Sequence, residues 1–199
     1  MTSHRFIVFE GVDGSGKSTQ VRLLDEYLRD RNLDVVATCE PSRTELGVSI
    51  RKMIMSESLP ELTTAFLFSA DRAQHVEMII RPALEKGITV ISDRYVDSFM
   101  AYQGVSGNLK MQDLRLLSRI ATKGLKPDLT IILDIDPAIS LERIQRRGTM
   151  DRIESSPIEF HRDIRGFFLK QAEFYRDRYV VIDGTGTPEE IHQRIRDVI

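Results

Sequence analysis

The 199-residue chain has 41% hydrophobic residues, 29% charged residues and a formal net charge of −2, which is typical of a globular protein and offers no overall basic field for nucleic acid. Its single cysteine excludes an internal disulfide and a cysteine-rich zinc site, and it favours a reducing compartment. No apolar stretch approaches the roughly 18 residues of a membrane span. Residues 1–5 leave no room for a signal peptide before the first strand, so we expect a cytoplasmic protein.

The first predicted elements form a phosphate-binding unit. Residues 6–9 are apolar and predict a buried strand, and an amphipathic pattern from residue 18 to about residue 31 predicts a helix. Between them the chain matches the pattern G-x-x-x-x-G-K-S. Its glycines let successive N–H groups point into one concavity, where the helix dipole and a lysine charge attract phosphate. The alternative is a glycine-rich turn that opens an ordinary helix. We expect a nucleoside triphosphate to bind Gly11, Val12, Asp13, Gly14, Ser15, Gly16, Lys17 and Ser18, with the Ser18 hydroxyl on Mg²⁺.

Four further apolar runs follow the first, and together they predict a parallel sheet. The five runs are residues 6–9, 35–38, 89–92, 129–135 and 179–182. They are continuous rather than alternating, which predicts strands buried on both faces. Helical patterns separate them, so we expect an α/β fold with a five-stranded parallel sheet and helices on both faces. The chain contains no linker or repeat, which predicts one domain over residues 1–199.

Several helix ends are marked in the second half of the chain. Asp136 and Pro137 have the pattern of an N-cap and a first helical residue, and Gly148 lies where that helix should end. Thr187 and Glu190 have capping-box spacing and predict the start of the last helix. Between these elements, a helix over about residues 157–175 carries an apolar stripe that we interpret as core: Phe160, Ile164, Phe167, Phe168 and Ala172.

Polar residues follow the second and third predicted strands, at the sheet edge where α/β proteins bind ligands. Glu40 to Arg43 follow the second strand, and Asp93 and Arg94 follow the third. Asp93 has the position of an acidic residue near the magnesium ion of a phosphate-loop enzyme, although it could also be a strand-end cap. The planar fork of Arg94 suits a second phosphate.

An arginine run follows the fourth strand. Arg143, Arg146 and Arg147 have the spacing of one helical face, and Arg152 follows the residues 148–150, which suggest a bend. Such a run is usually a solvated face that also complements the helix dipole. The competing interpretation is a mobile flap that carries arginines to a phosphate site.

With these residues identified, the chain resembles the thymidylate kinases, the nucleoside-monophosphate kinases that phosphorylate dTMP. The resemblance runs nearly end to end. It includes FEGVDGSGKST at 9–19, FLFSADRAQH at 66–75, DRYVDS at 93–98, AYQG at 101–104, PDLT at 127–130 and DRIE at 151–154. The phosphate loop alone is common to many nucleotide hydrolases, whereas the segment from 93 to 104 is far more specific.

The resemblance implies a kinase that transfers the γ-phosphoryl group of ATP to dTMP, with Mg²⁺, to give dTDP and ADP for dTTP synthesis. It also implies a flexible flap (the LID) at about residues 143–154, and a homodimer formed through helices rich in Ile, Leu, Met and Phe. No nucleic acid or membrane partner is expected. Alternatives are a kinase for another nucleoside monophosphate or for a nucleoside, and, more remotely, a GTP-dependent switch. The D-x-x-G match at 163–166 lies within a predicted helix, and no N-K-x-D motif is present to bind guanine.

The resemblance also implies roles for individual residues in the acceptor site. Phe68 would stack on the thymine ring, and Arg72 would donate hydrogen bonds to the edge of that ring. Tyr102 would pack against the deoxyribose where a 2′-hydroxyl would lie. Without the resemblance these three would be a core residue, a solvated helix residue and a boundary tyrosine. The other implied contacts are Glu40 in the acceptor loop, Ser98 and Gln103 beside the base, Arg94 on the dTMP phosphate and Asp13 on the 3′-hydroxyl or the acceptor–metal network. His75 is expected to make a structural hydrogen bond.

Two features of the resemblance concern arginines. Members carry the catalytic arginine either in the phosphate loop or in the flap, and no arginine occupies positions 12–15 here. The flap is therefore expected to supply it, through Arg147 and Arg152, with Arg146 as a third candidate.

Many relatives read Arg-Glu-Pro-Gly-Gly-Thr where this chain has Cys39 to Thr44, so Cys39 stands where those relatives have an arginine. We hypothesise that Arg43 or Arg51 supplies the missing charge.

Overall fold

The computed structural model describes residues 5–56, 58–105, 109–148 and 150–199. Within them, five parallel strands form one sheet in the order β2-β3-β1-β4-β5. The strands are β1 Phe6–Glu10, β2 Val35–Cys39, β3 Thr89–Asp93, β4 Leu129–Asp134 and β5 Tyr179–Asp183. The predicted five-stranded parallel sheet is confirmed, and each strand overlaps its apolar run.

Helices connect the strands in the described residues. They are α1 Lys17–Arg29, α2 Glu45–Ser56, α3 Glu61–His75, α4 Arg81–Glu85, α5 Val96–Val105, α6 Met111–Thr122, α7 Pro137–Arg147, α8 Ile158–Phe174 and α9 Pro188–Arg196. A wider π turn at Val76–Ile80 joins α3 to α4. The D-x-x-G match lies inside α8 as expected. No described helix is long and apolar enough to cross a membrane.

The core has two layers because side chains alternate across the central strands. Ile7 and Phe9 of β1 pack with Leu24 of α1 and Ile195 of α9 on one face of the sheet. Phe6 and Val8 face the opposite side, where the helices that precede β3 cover them. Helices on both faces are thereby confirmed. The α8 stripe is core as predicted, since Ile164 and Phe168 are buried against β4 and Phe160 and Phe167 pack beside them.

The prediction that all five strands are buried on both faces is wrong for β2 and β5. These strands form the two edges of the sheet. Ala37 of β2 is exposed, and Val181 of β5 keeps 42% of its surface exposed. An apolar run therefore did not distinguish a central strand from an edge strand, because β-branched residues suit both positions.

The predicted helix ends in the second half of the chain are confirmed. The Asp136 carboxylate accepts the N–H of Ala138 at 2.8 Å, and Gly148 ends α7 with a φ of 89°. Thr187 and Glu190 form the predicted capping box at the start of α9. Thr149, in the predicted bend, lies outside the described residues.

The strand register brings the polar strand ends together. Asp93 at the end of β3 pairs with Phe9 of β1 on one side and with Cys39 of β2 on the other. The phosphate loop, the loop that begins at Glu40 and the Asp93–Arg94 segment therefore leave the sheet at one edge.

Candidate functional site

A cleft of about 1130 Å³ opens at this edge of the sheet. The predicted site residues that line it are Asp13, Gly14, Gly16, Lys17, Ser18, Glu40, Arg51, Phe68, Arg72, Asp93, Arg94, Ser98, Tyr102, Gln103 and Arg147. Gly11, Val12 and Ser15 lie beneath the lining as buried parts of the loop. The cleft thus brings most of the expected donor and acceptor residues to one place.

The phosphate loop has the backbone that its glycines predict. Gly14 has a φ of +76°, and a Cβ there would lie 2.5 Å from the Ser140 carbonyl oxygen of α7, so only glycine fits. The Lys17 ammonium donates to the carbonyl oxygens of Gly11 at 3.0 Å and Val12 at 2.8 Å. Burial and the Arg94 charge lower the pKa of Lys17 to about 8. Bound phosphate would raise this pKa again, because an anion favours the charged ammonium.

Ser18 and Asp93 form an oxygen pair beside the loop. The Ser18 hydroxyl donates to Oδ2 of Asp93 at 2.5 Å, across 75 residues of sequence. Hydroxyl and carboxylate oxygens are ligands that Mg²⁺ prefers, and Mg²⁺ keeps several waters and substrate phosphates as its other ligands. Among the described residues no cluster of three or more His, Cys, Asp or Glu could hold a metal. The residues present therefore fit Mg²⁺.

Arg94 is the centre of a polar cluster on the other side of the loop. It has a φ of 72°, a conformation that residues other than glycine rarely adopt. Its Nη2 forms an ion pair with Asp13 and donates to the Tyr102 hydroxyl at 3.4 Å, and its Nη1 donates to the Ser98 hydroxyl at 2.7 Å. Tyr102 donates to Asp13 at 2.7 Å.

The ionisation of Asp13 follows from this cluster. Burial alone would raise the pKa of Asp13, but the charges of Arg94 and Lys17 and the hydrogen bonds outweigh burial and hold this pKa well below its ordinary value. Asp13 is therefore a carboxylate throughout the neutral range. It can orient a substrate hydroxyl or the guanidinium of Arg94.

Glu10 supports this cluster from below. It is fully buried, and its carboxylate accepts the N–H groups of Tyr95 at 2.9 Å and Ser98 at 3.1 Å and the Ser98 hydroxyl at 2.5 Å. Burial and the neighbouring Asp97 carboxylate raise the pKa of Glu10 to about 7.

Arg72 lies at the end of the cleft that is lined by α3. Its guanidinium forms a buried ion pair with Glu40, and its Nη2 also donates to the Tyr95 carbonyl oxygen at 3.3 Å. Burial alone would raise the pKa of Glu40, but Arg72 and His75 outweigh it and lower that pKa. Among the described residues, Nη1 of Arg72 is a buried nitrogen without a hydrogen-bond partner.

His75 makes the structural hydrogen bonds that were expected. Its Nε2 lies 2.7 Å from the Thr38 hydroxyl, and its Nδ1 lies 3.2 Å from Oε1 of Glu40. The aromatic ring of Phe68 is half-buried at the same end of the cleft, and Gln103 lies in its lining. The arrangement can therefore hold a flat ring and offer hydrogen bonds at its edge.

The loop that departs from the family pattern is clamped to α3. Asp71 is buried and accepts both the N–H and the hydroxyl of Ser42, at 2.7 and 2.5 Å. A Cβ on Gly47 would lie 2.6 Å from Oδ1 of Asp71, so the clamp requires glycine at the start of α2. Arg43 and Arg51 are exposed and both line the cleft. Cationic side chains therefore flank the position that relatives fill with arginine.

Cys39, which replaces that arginine, lies beside these two side chains. Burial raises the pKa of its thiol, although hydrogen bonding and charge from Arg43 oppose the change. The thiol is therefore neutral near pH 7 and carries no charge of its own to the cleft.

The four arginines of the predicted flap differ in their surroundings. Arg147 lines the cleft and forms an ion pair with both carboxylate oxygens of the buried Glu154, at 2.8 Å to each. Arg143 also lines the cleft and donates to the Gly184 carbonyl oxygen at 3.1 Å. Arg146 instead points to solvent, where it lies 3.7 Å from Glu142. Arg152 is exposed in the turn at 151–155 and is not part of the cleft lining.

Glu10, Asp71 and Glu154 were part of the motifs, but sequence reasoning gave them no role. Each is a buried acid that accepts several hydrogen bonds from a segment of the site. For Glu10 the available signal was its position, because an acid directly after an apolar strand run must find buried donors.

The chain is similar to known proteins over most of its length. The family profile described as thymidylate kinase matches residues 9–195. A curated protein named thymidylate kinase from Carboxydothermus hydrogenoformans is 44% identical over 194 residues, with 96% of this chain and 95% of the relative covered. One of the same name from Sulfurihydrogenibium sp. is 44% identical over 195 residues, with the same coverage, and one from Deinococcus radiodurans is 41% identical over 197 residues, with 98% and 96% covered.

Proposed function

The chain belongs to the thymidylate kinase family, and we propose that the cleft described above is where it transfers the γ-phosphoryl group of ATP to dTMP. The products are dTDP and ADP, and the enzyme is a nucleoside-monophosphate kinase of deoxynucleotide biosynthesis.

One observation carries the proposal: a phosphate loop and a second cationic centre share one cleft. Lys17 and the loop amides lie on one side, and Arg94 lies on the other, joined to the loop through its ion pair with Asp13. Two anion sites so close together suit a reaction in which one phosphate attacks another. The unpaired Nη1 of the buried Arg72 supports a base acceptor at the far end, because a buried donor is costly unless a ligand satisfies it.

The donor half of the mechanism follows from the loop. Its amides and Lys17 bind the β- and γ-phosphates, and Lys17 leaves the carbonyl oxygens of Gly11 and Val12 to do so. Ser18 and Asp93 are the residues that would hold Mg²⁺, and when bound the ion neutralises charge on the β- and γ-oxygens. Catalysis of this kind needs alignment and electrostatic stabilisation rather than covalent chemistry by the protein.

The acceptor half follows from Arg94 and the base end of the cleft. Arg94 binds the dTMP phosphate in line with the γ-phosphate, and Asp13 orients the sugar hydroxyl or the guanidinium. Phe68 stacks on the thymine, Arg72 bonds its edge, and Tyr102 occupies the space of a 2′-hydroxyl. Ser98 and Gln103 lie beside the base, and Glu40 holds Arg72.

The flap at residues 143–154 supplies the remaining positive charge in this proposal. Arg147 and Arg152 stabilise the transferring group, with Arg146 as a third candidate, and an arginine in this role contributes about 10³–10⁵ in rate. The ion pair of Arg147 with the buried Glu154 supports this assignment, because it holds the guanidinium at the cleft. Arg152 and Arg146 would need the flap to move, since neither lines the cleft.

A substrate panel tests the proposal. ADP production from ATP and Mg²⁺ is followed with dTMP, dUMP, dCMP and thymidine as separate acceptors, and without any acceptor. We expect dTMP to give the highest kcat/KM and the acceptor-free reaction to be negligible. A higher kcat/KM for another acceptor would move the chain to another kinase of this scaffold. ATP turnover that needs no acceptor would favour a switch or an ATPase.

We also propose a homodimer that uses the outer face of α2, α3 and α6. This face carries exposed apolar side chains on neighbouring helices: Val48, Met53, Leu62, Phe66, Leu116 and Ile120, each between 44% and 64% exposed. Such a patch on a globular protein usually marks an interaction surface. Sedimentation velocity should give a dimer for the wild-type chain and a monomer for Ile120→Glu. Phe174→Glu, at a residue 80% exposed elsewhere, is the control that should remain dimeric, and a wild-type monomer would refute the proposal.

The family assignment and the single sheet support treating residues 1–199 as one kinase domain, with the flap inside it. The lone cysteine supports a cytoplasmic location, since a reducing compartment does not select for disulfides. Fractionation of cells that express the chain would test that location.

A further inference from the structure

The transfer described above leaves Glu10 without a role, yet its surroundings are unusual. Glu10 is the last residue of β1, directly before the phosphate loop, and its side chain is fully buried. A buried carboxylate is stable only when donors surround it. Here the donors come from one segment: the N–H groups of Tyr95 and Ser98, and the hydroxyl of Ser98.

The Ser98 hydroxyl connects Glu10 to Arg94. A hydroxyl has one proton to donate and two lone pairs to accept with. Because Ser98 donates its proton to Oε2 of Glu10, its lone pairs are available to Nη1 of Arg94, which lies 2.7 Å away. The two nitrogens at the end of the Arg94 guanidinium are therefore held from two directions, by Ser98 and by Asp13.

Glu10 also holds the helix that carries the acceptor contacts. The N–H groups of Tyr95 and Ser98 lie at the start of α5, where backbone donors have no partner within the helix. Glu10 satisfies both. Tyr102 and Gln103 lie one turn farther along the same helix, so a carboxylate attached to the donor loop sets the position of the acceptor helix.

We infer that Glu10 is a positioning residue that aligns the two phosphates, by holding Arg94 through Ser98 and by tying the start of α5 to the base of the phosphate loop. This inference rests on the proposed function. It predicts that a change at Glu10 acts on the rate of transfer more than on the binding of ATP, because the loop amides and Lys17 remain in place. A misplacement of about 1 Å is enough to lower a rate by roughly 10²-fold.

Glu10→Gln is the direct test, because it keeps the size of the side chain. The amide oxygen can still accept the two N–H groups, but the amide nitrogen is a donor, so the Ser98 proton loses its acceptor. Ser98→Ala removes the connection from the other side, and the double variant completes a cycle. Asp128→Asn is the matched control: Asp128 accepts the N–H groups of Arg5 and Phe6 at 2.8 and 2.9 Å, at the opposite end of β1 and away from the cleft.

The kcat and the KM values for ATP and dTMP are measured for the unaltered chain and the four variants, together with their melting temperatures. We expect Glu10→Gln to lower kcat about 10–100-fold and to leave the KM for ATP within about threefold. The kcat of the double variant should lie within about threefold of the kcat of the poorer single variant, since both changes remove the same connection from Glu10 through Ser98 to Arg94. Asp128→Asn should lower the melting temperature and keep kcat within about twofold of the unaltered chain.

Three results would overturn the inference. They are a folded Glu10→Gln protein with wild-type kcat, losses from the two single changes that multiply in the double variant, or an equal loss of kcat in Asp128→Asn. If Glu10→Gln does not fold, Glu10→Asp replaces it in the same cycle, because aspartate keeps the charge and shortens the reach. If the unaltered chain does not phosphorylate dTMP in this assay, the proposed function fails instead.

Discussion

Replacement of Arg72 by methionine should separate stability from substrate recognition. The Arg72 and Glu40 side chains are only 2% and 4% exposed. Arg72→Met therefore leaves the buried Glu40 carboxylate with the imidazole of His75 as the side chain that still contacts it. Breaking a buried ion pair in this way costs about 3–5 kcal/mol of unfolding free energy. The same change removes the hydrogen bonds that we propose Arg72 makes to the base. As charge-assisted bonds they contribute about 1.5–3 kcal/mol, or roughly 10–150-fold in kcat/KM for dTMP.

A second change distinguishes these two effects. In Glu40→Gln/Arg72→Met the unpaired charge is gone, so we expect most of the lost unfolding free energy to return. The kcat/KM for dTMP should stay low, because no guanidinium faces the base. Urea unfolding measures the first quantity and a steady-state coupled assay measures the second.

Arg165→Met is the matched control. Arg165 makes a bidentate ion pair with Asp134, at 2.6 and 2.8 Å, at the end of β4 and outside the cleft lining. This pair is more exposed than the pair of Arg72 with Glu40, so its loss should cost less stability and leave the KM for dTMP unchanged. Our reasoning would be refuted if Arg72→Met kept the wild-type kcat/KM for dTMP, or if the double variant recovered it together with stability.

Three further predictions concern charges around the phosphates. Arg43→Ala, or the same change at Arg51, should raise the KM for dTMP about tenfold without changing that for ATP, and an unchanged KM would remove that arginine from the acceptor site. Arg147→Ala and Arg152→Ala should each lower kcat about 10³-fold with little effect on the KM for dTMP, and a raised KM with an unchanged kcat would indicate a simple binding role. The folded-state pKa of Asp13 is depressed below its ordinary 3.8, so its carboxylate stabilises the fold above that pH and stabilises it less as the pH falls. Urea unfolding should therefore show a steeper loss of stability between about pH 5 and 3 in the wild-type chain than in Asp13→Asn. Equal losses in the two proteins would contradict the stabilisation of the Asp13 carboxylate by Arg94 and Lys17.

The fold was largely predictable from the sequence because its signals are local. The loop glycines, the apolar runs and the capping residues Asp136 and Thr187 each act within a few neighbours, and each lies where it was expected. The edge positions of β2 and β5 were not predictable, because they depend on the order in which strands pair. That order is a property of the whole sheet.

Most of the residues that line the cleft were predictable, but the bonds between them were not. The sequence and the resemblance named Arg94, Arg72 and Glu40, yet no local pattern shows which residue holds which. Glu10 and Ser98 are 88 residues apart, and Asp71 and Ser42 are 29 apart. Such bonds form only once the strands have brought two segments together.

The flap arginines illustrate the same limit. Their spacing put Arg143, Arg146 and Arg147 on one helical face, but only Arg143 and Arg147 line the cleft, while Arg146 faces solvent. Residues at spacings of three and four share a face only approximately, since a turn holds 3.6 residues. A charge run can therefore bring some of its members to a site and leave the others in water.

The most direct test of the central claim follows the phosphorus atoms themselves. ³¹P NMR of ATP, Mg²⁺ and dTMP with a catalytic amount of the enzyme shows where the γ-phosphoryl group goes. We predict that dTDP and ADP appear in equal amounts and that inorganic phosphate stays at background, because in the proposed mechanism Arg94 holds the acceptor phosphate in line with the γ-phosphate. Release of inorganic phosphate while dTMP remains unchanged would contradict the account.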